Sequence, residues 1–169
     1  MGMNEKIQFK KLCRSDQHAL QVVSIVSFYE SFIEGANAKD MQEYLQHAFT
    51  PHQLAKELQD TNTTFIGVFD GQVLIGYIKL VYFPQVKQLE VKRLYVIEGY
   101  QNQGLGKKLL DQAQQIAIQM EYHELIVTVY EKNHAGLRFY QREGFLPYEE
   151  TIVYLGQQVR TCPILKKEV

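Results

Sequence analysis

The chain has 169 residues, 46% of them apolar, and 18 Lys and Arg against 19 Asp and Glu give a net charge of −1. That is apolar mass enough for a full core, and no linker divides it, so a single domain over residues 1–169 is expected. Charges of both signs are interspersed, which excludes a general attraction to nucleic acid or acidic membranes and favours a small-molecule partner.

No apolar run approaches membrane-spanning length, and the N-terminal Met-Gly-Met-Asn-Glu-Lys has no signal core. Cys13 and Cys162 form no CxxC pair, and the five histidines are scattered, with His47 and His52 off helical ligand spacing. A cytoplasmic protein with free thiols and no metal is expected.

Residues 7–13 read as an opening strand. Ser15 or Asp16 then caps a helix reaching about Phe32, with Leu20, Val23, Ile25, Val26, Phe28 and Phe32 as its apolar members. Gly35-Ala-Asn37 breaks it. A second helix over 39–49 presents Met41, Tyr44, Leu45 and Phe49. Thr50 caps a third, with Pro51 at its first position and Leu54 and Leu58 on its buried side. Residues 63–69 and 73–83 flank Asp70-Gly71, the dipeptide of a tight hairpin turn.

Residues 89–97 make a further strand. After a glycine-bearing loop, 107–120 carry Leu109, Leu110, Ala113, Ile116, Ala117 and Met120 at helical spacing. A strand at 125–130 is followed by a short helix at 133–143, ended by Gly144 at a left-handed cap. Two closing strands, 145–155 and 159–166, surround Gly156. Consecutive antiparallel strands followed by strand, loop, helix and strand predict a mixed α/β fold rather than a purely doubly wound sheet.

The loop Gln101, Asn102, Gln103, Gly104, Leu105, Gly106, Lys107 joins a strand to a helix. Such a loop offers unpaired N–H groups and the positive end of the helix dipole to a phosphate. A Walker A loop is excluded, because Leu105 stands where lysine is required and no Ser or Thr follows for magnesium. A dinucleotide fingerprint is excluded as well, because position 109 is leucine.

What does match is Gln/Arg-x-x-Gly-x-Gly/Ala, at Gln101 to Gly106. Asn133-His-Ala-Gly-Leu-Arg-Phe-Tyr140-Gln-Arg-Glu-Gly144-Phe145 matches Asn-x-x-Ala-x-x-Phe-Tyr-x-x-x-Gly-Phe, with Gly136 where alanine is usual. With these two motifs in order, the chain resembles the GNAT superfamily of acetyl-CoA-dependent N-acetyltransferases. Met41…Tyr44-Leu45…Phe49 and Tyr154-Leu155-Gly156…Arg160-Thr161 resemble the bacterial PaiA-type polyamine acetyltransferases. The resemblance implies a central, mostly antiparallel mixed sheet of about seven strands with helices on both faces. It also implies acetyl-CoA as cosubstrate, direct transfer to a primary amine such as spermidine or spermine, and a possible homodimer in which Tyr82-Phe83 or Val153-Tyr154 would lie at the interface. Another small amine or a peptide N-terminus as acceptor, or a non-catalytic acyl-CoA sensor, would carry the same motifs. Arg160-Thr161-Cys162-Pro163 departs from the acidic residue expected after Thr161, and Pro163 cannot donate to a ladder.

By the same resemblance, backbone groups of Leu94, Tyr95 and Val96 face the acetyl and pantetheine arm. N–H groups of residues 101–106, with Lys107, bind the pyrophosphate. Asn133 bonds the pantetheine arm, and Tyr140 protonates the departing thiolate. The chemistry adds its own demand: an alkylamine with a pKa near 10.4 is nucleophilic in roughly one molecule in a few thousand at neutral pH, so a base must take its proton. Glu90 is the candidate on the strand leading to the site. Lys92, two residues on, would weaken it. Glu30 and Glu34 are the alternatives, able also to attract a polycation.

Overall fold

The computed structural model describes residues 6–32 and 37–169. Glu34 lies outside them. Seven strands form one sheet: β1 (Ile7–Lys11), β2 (Thr63–Asp70), β3 (Val73–Phe83), β4 (Gln88–Val96), β5 (Glu124–Thr128), β6 (Leu146–Leu155) and β7 (Gln158–Glu168). Their spatial order is β1-β2-β3-β4-β5-β7-β6, and every pairing is antiparallel except β4 with β5. The mixed sheet expected of the sequence is therefore present.

Helices α1 (Gln17–Phe32), α2 (Ala38–Ala48) and α3 (Pro51–Gln59) cover one face; α4 (Leu105–Gln119) and α5 (His134–Arg142) cover the other. On the first face Leu20, Phe28, Phe49, Leu54 and Tyr77 close a core. On the second, Leu109, Leu110, Ala113 and Ala117 pack on Ile75, Leu89 and Leu125. Leu109 is fully buried, and its truncation to alanine costs about 2–5 kcal/mol.

Several local signals act as their chemistry dictates. Thr50 Oγ1 accepts from Gln53 N at 3.1 Å with Pro51 in the first helical position. Gly71 takes φ 59° in the β2–β3 turn and Gly144 takes φ 89° after α5. The start of α1 differs from expectation. A 3₁₀ turn, Arg14–Asp16, precedes it, and Asp16 Oδ2 reaches back to accept from Cys13 N at 2.9 Å. Cys13 is thus the N-cap of this turn, which leads directly into α1 at Gln17.

Pro163 sits inside β7 opposite Glu150 of β6. Its carbonyl accepts from Val129 N at 2.9 Å, so its N–H-less side faces the region just past the end of β5. Groups of one residue point to the same neighbour in an antiparallel ladder, so the β6 pairing loses nothing. At the sheet edge, β6 exposes Ile152, Val153 and Tyr154, and at the far end of β3 Phe83 is exposed. Tyr82 instead donates from its hydroxyl to Thr64 Oγ1 at 2.9 Å.

Candidate active site

The site begins where two parallel strands part. β4 pairs with β5 only at Gln88, Leu89 and Glu90. It then runs on to Val96 held by β3 alone, opening a wedge between itself and β5. Ile97 N donates to Ile75 O of β3 at 3.0 Å. By alternation Tyr95 also directs its N–H and C=O at β3, opposite Tyr77, while those of Leu94 and Val96 face the wedge. Of the three backbone segments expected to face the acyl arm, two point into the wedge, with Val96 O already accepting from Gln101, and the third is committed to the ladder. The Tyr95 ring instead lies on the α1 face, edge-on to Tyr77 at 5.7 Å.

Past the wedge, a 3₁₀ turn at Glu98–Tyr100 leads into the glycine loop. Gln101 Nε2 donates to Val96 O at 2.8 Å and Gln103 Nε2 to Gly99 O at 3.4 Å. Asn102 has φ 60°, and Gly104, the N-cap of α4, has φ 76°. The first α4 backbone bond runs from Lys108 N to Gly104 O at 3.1 Å, so the N–H groups of Leu105, Gly106 and Lys107 project without helical acceptors. Leu105 anchors the turn by burying its side chain. A Cβ on Gly106 would meet only the Phe139 ring, at an ordinary 3.7 Å. The fold does not require glycine there, and the missing Cβ leaves the backbone N–H groups open to close approach. Lys107 is engaged elsewhere: its Nζ lies 2.9 Å from Asp111 and 3.5 Å from Glu143.

The second motif lies at α5. Asn133 caps it, its Oδ1 accepting from Gly136 N at 2.9 Å, which leaves Nδ2 to donate outward. A cleft of about 890 Å³ joins Asn133 and Gln101 with Tyr29 and Glu30 of α1, Glu98, Tyr130, Lys132 and His134. Glu30, Gln101 and Asn133 therefore share one cavity. Tyr140 does not line this cleft; it is buried, edge-on to Phe139 at 5.1 Å and Phe145 at 5.3 Å. Burial alone holds its phenol well above the ordinary value, so it carries its proton at neutral pH.

Glu90 stands at the closed end of the wedge, the last β4 residue paired with β5. It is 9% exposed, with Lys92 Nζ 3.2 Å from its Oε1. Sequence reasoning missed another acid. Glu57 of α3 meets Lys79 at 2.8 Å and Arg93 at 2.8 Å. Burial pushes its carboxyl up, but the charge of Arg93 and hydrogen bonds from Arg93 and Lys79 outweigh that and hold it below the usual range. Lys79 fares worse: burial and then repulsion from Arg93 lower its pKa despite Glu57. The visible signal was Glu57 three residues after Leu54, an acid on the buried side of an amphipathic helix. Beside this cluster lies a smaller cavity of about 350 Å³, reached by Tyr44, His47 and Gln53.

Among the described residues no group of His, Cys, Asp or Glu is placed to hold a metal, and no helix is long and apolar enough to cross a membrane.

Comparison with known proteins places this geometry. The model of the acetyltransferase (GNAT) family matches residues 25–145. An uncharacterized N-acetyltransferase from the pepI 3′ region of Lactobacillus delbrueckii subsp. lactis is 26% identical over 168 residues, covering 95% of this chain and 96% of that protein. A spermidine N(1)-acetyltransferase of Thermoplasma acidophilum is 25% identical over 143 residues, 82% of this chain and 88% of its own. Among solved structures, the PaiA N-acetyltransferase of Thermoplasma acidophilum in complex with coenzyme A superposes with a TM-score of 0.84. It is 23% identical and matches over 96% of this chain and 99% of that one.

Proposed function

The chain belongs to the acetyltransferase (GNAT) family, and from that premise we propose that it transfers acetyl from acetyl-CoA directly to a primary amine of a polyamine such as spermidine or spermine. The observation carrying the acetyl-transfer reading is the parting of β4 from β5 after Glu90, taken with the open N–H groups at the start of α4 and the cleft that Gln101 and Asn133 share. A polyamine acceptor is supported by the spermidine acetyltransferase relative. It is supported too by Glu30 and Glu98 in the cleft, against one lysine, Lys132.

The donor thioester supplies the acyl group and a thiolate leaving group. In this reading the N–H groups of Leu105, Gly106 and Lys107 hold the pyrophosphate, and with them the helix dipole. Asn133 Nδ2 donates to the pantetheine arm, and the Leu94 and Val96 backbone groups align it along β4. Glu90 takes the proton that the ammonium must lose before its nitrogen attacks. Tyr140 gives a proton to the sulfur as the C–S bond breaks.

The test is thiol release from acetyl-CoA with spermidine and spermine, set against amino acids, aminoglycosides and peptide N-termini. Turnover with another class alone would remove the polyamine and leave acetyl transfer standing.

A further inference from the structure

β4 carries one residue more than β3 can pair. Lys79 lies opposite Arg93 and Leu80 opposite Val91, so Lys92 is bulged out of the ladder. The bulge resets the faces: Leu89 and Val91 before it, and Leu94 and Val96 after it, all pack on the α4 side. Val91 and Leu94 are three positions apart, a spacing an unbroken strand would place on opposite faces. The bulge follows Glu90, the last residue paired with β5, by two positions. It is therefore where β4 parts from β5, while still paired with β3, and the wedge begins.

Two cations form the first cross-strand pair beyond that break, Lys79 on β3 and Arg93 on β4, and one carboxylate from a third element meets both. Glu57 Oε2 lies 2.8 Å from Lys79 Nζ and 2.8 Å from Arg93 Nη1, while its Oε1 accepts from Arg93 Nη2 at 3.3 Å and Gln53 Nε2 at 3.1 Å. The Arg93 guanidinium also sits over the Phe49 ring at 5.0 Å. The three charged side chains are only 9–12% exposed. A buried ion cluster is a poor source of stability, because desolvation offsets most of its attraction. What a forked arginine–carboxylate pair does supply is direction.

We propose that Glu57 is a positioning residue for acyl transfer: by clamping the Lys79–Arg93 pair that adjoins the Lys92 bulge it fixes how β4 leaves β5, and so where the wedge-facing groups of Leu94 and Val96 point. This rests on the wedge being the acyl site. Glu57 itself does not exchange protons with the substrate, since both its oxygens are taken.

The test combines kinetics with amide hydrogen exchange on Glu57→Gln, which keeps the shape and removes the charge, and on Arg93→Lys, which keeps a charge and removes the fork. With acetyl-CoA and spermidine, or whichever primary amine the unaltered protein uses, kcat falls at least tenfold in Glu57→Gln, toward the ~10²-fold that a 1 Å misplacement costs. The KM for acetyl-CoA stays within about twofold, because the pyrophosphate loop is untouched. The amides of Arg93 and Tyr95, which pair with β3, exchange about tenfold faster or more, while those of α4 keep their protection. Arg93→Lys moves both readouts the same way by less. Unaltered kcat, or unaltered exchange at Arg93 and Tyr95, overturns the proposal. So does a uniform loss of protection or of the fold in both variants, which would make the cluster a general support. If the unaltered protein acetylates no amine, the functional reading fails, and the exchange pattern alone decides whether Glu57 holds the bulge.

Discussion

Replacing Gly136 by alanine puts a methyl group where Asn133 now lies. A Cβ at this position would stand 2.5 Å from Asn133 Nδ2, 2.8 Å from Cγ and 3.0 Å from Oδ1. The amide must move, and it gives up the 2.9 Å bond from Gly136 N that caps α5. Losing an asparagine cap costs about 1 kcal/mol. Alanine in place of glycine returns about 1 kcal/mol of helix propensity. The two nearly cancel, so the melting temperature of Gly136→Ala should lie within about 2–4 °C of the unaltered protein. Ligand affinity is not so compensated. If Nδ2 donates to the pantetheine arm, its displacement forfeits one hydrogen bond, about 0.5–1.5 kcal/mol. At 1.4 kcal/mol per tenfold that is a CoA affinity weaker by about two- to twelvefold. Titration calorimetry with CoA on Gly136→Ala and Asn133→Ala measures it, and the two variants should weaken alike. An unchanged Kd in Gly136→Ala beside a weakened Asn133→Ala refutes the packing argument. Unchanged values in both remove Asn133 from the cofactor site.

Tyr140→Phe should lower kcat at least tenfold, within the range for loss of a general acid, with CoA affinity altered less than about twofold; an unaltered kcat removes Tyr140 from the mechanism. Glu90→Gln should lower kcat at least tenfold with little change in the KM for the polyamine. Glu30→Gln should keep kcat and raise the KM for the polyamine; the opposite pattern would exchange their roles. Glu57 gives a stability prediction whose sign follows from its depressed pKa. A carboxylate held low by folding stabilises above its unfolded value and loses that contribution as pH falls through its folded one. Thermal stability should therefore hold down to about pH 5 and fall below 4.5, and Glu57→Gln should lose that part of the acid dependence. An identical acid profile in the variant would show that the cluster holds no such charge.

Much of this was legible because it is local. Thr50-Pro51 and Gly144 each specify a backbone geometry within a few residues and adopt it, and a tight turn forms at Asp70-Gly71, though its central residues are Gly71 and Gln72, with Asp70 paired to Val73 in the ladder. The two acetyl-CoA motifs are likewise contiguous stretches placed on the expected loop and helix. What stayed hidden depends on pairing between distant strands. The insertion of β7 between β5 and β6 leaves no mark in either strand's own alternation. The Lys92 bulge makes a run that reads as continuous strand change faces midway, and without its register Arg93 looks like any strand arginine. Glu57 is 36 residues from Arg93, so nothing in the local pattern joins them. Glu30 was visible as an acid near the end of α1; only the fold brings it into one cleft with Gln101 and Asn133.

The central claim is acetyl transfer from CoA to a polyamine amine at the wedge between β4 and β5. Its most direct test is product analysis after incubating the protein with acetyl-CoA and spermidine, with Tyr140→Phe alongside. The account predicts stoichiometric CoA and monoacetylspermidine, formed at least tenfold more slowly by the variant. CoA binding by calorimetry without acetylated product from spermidine, spermine or any other amine would contradict it, and would mark the site as one that holds the cofactor without using it.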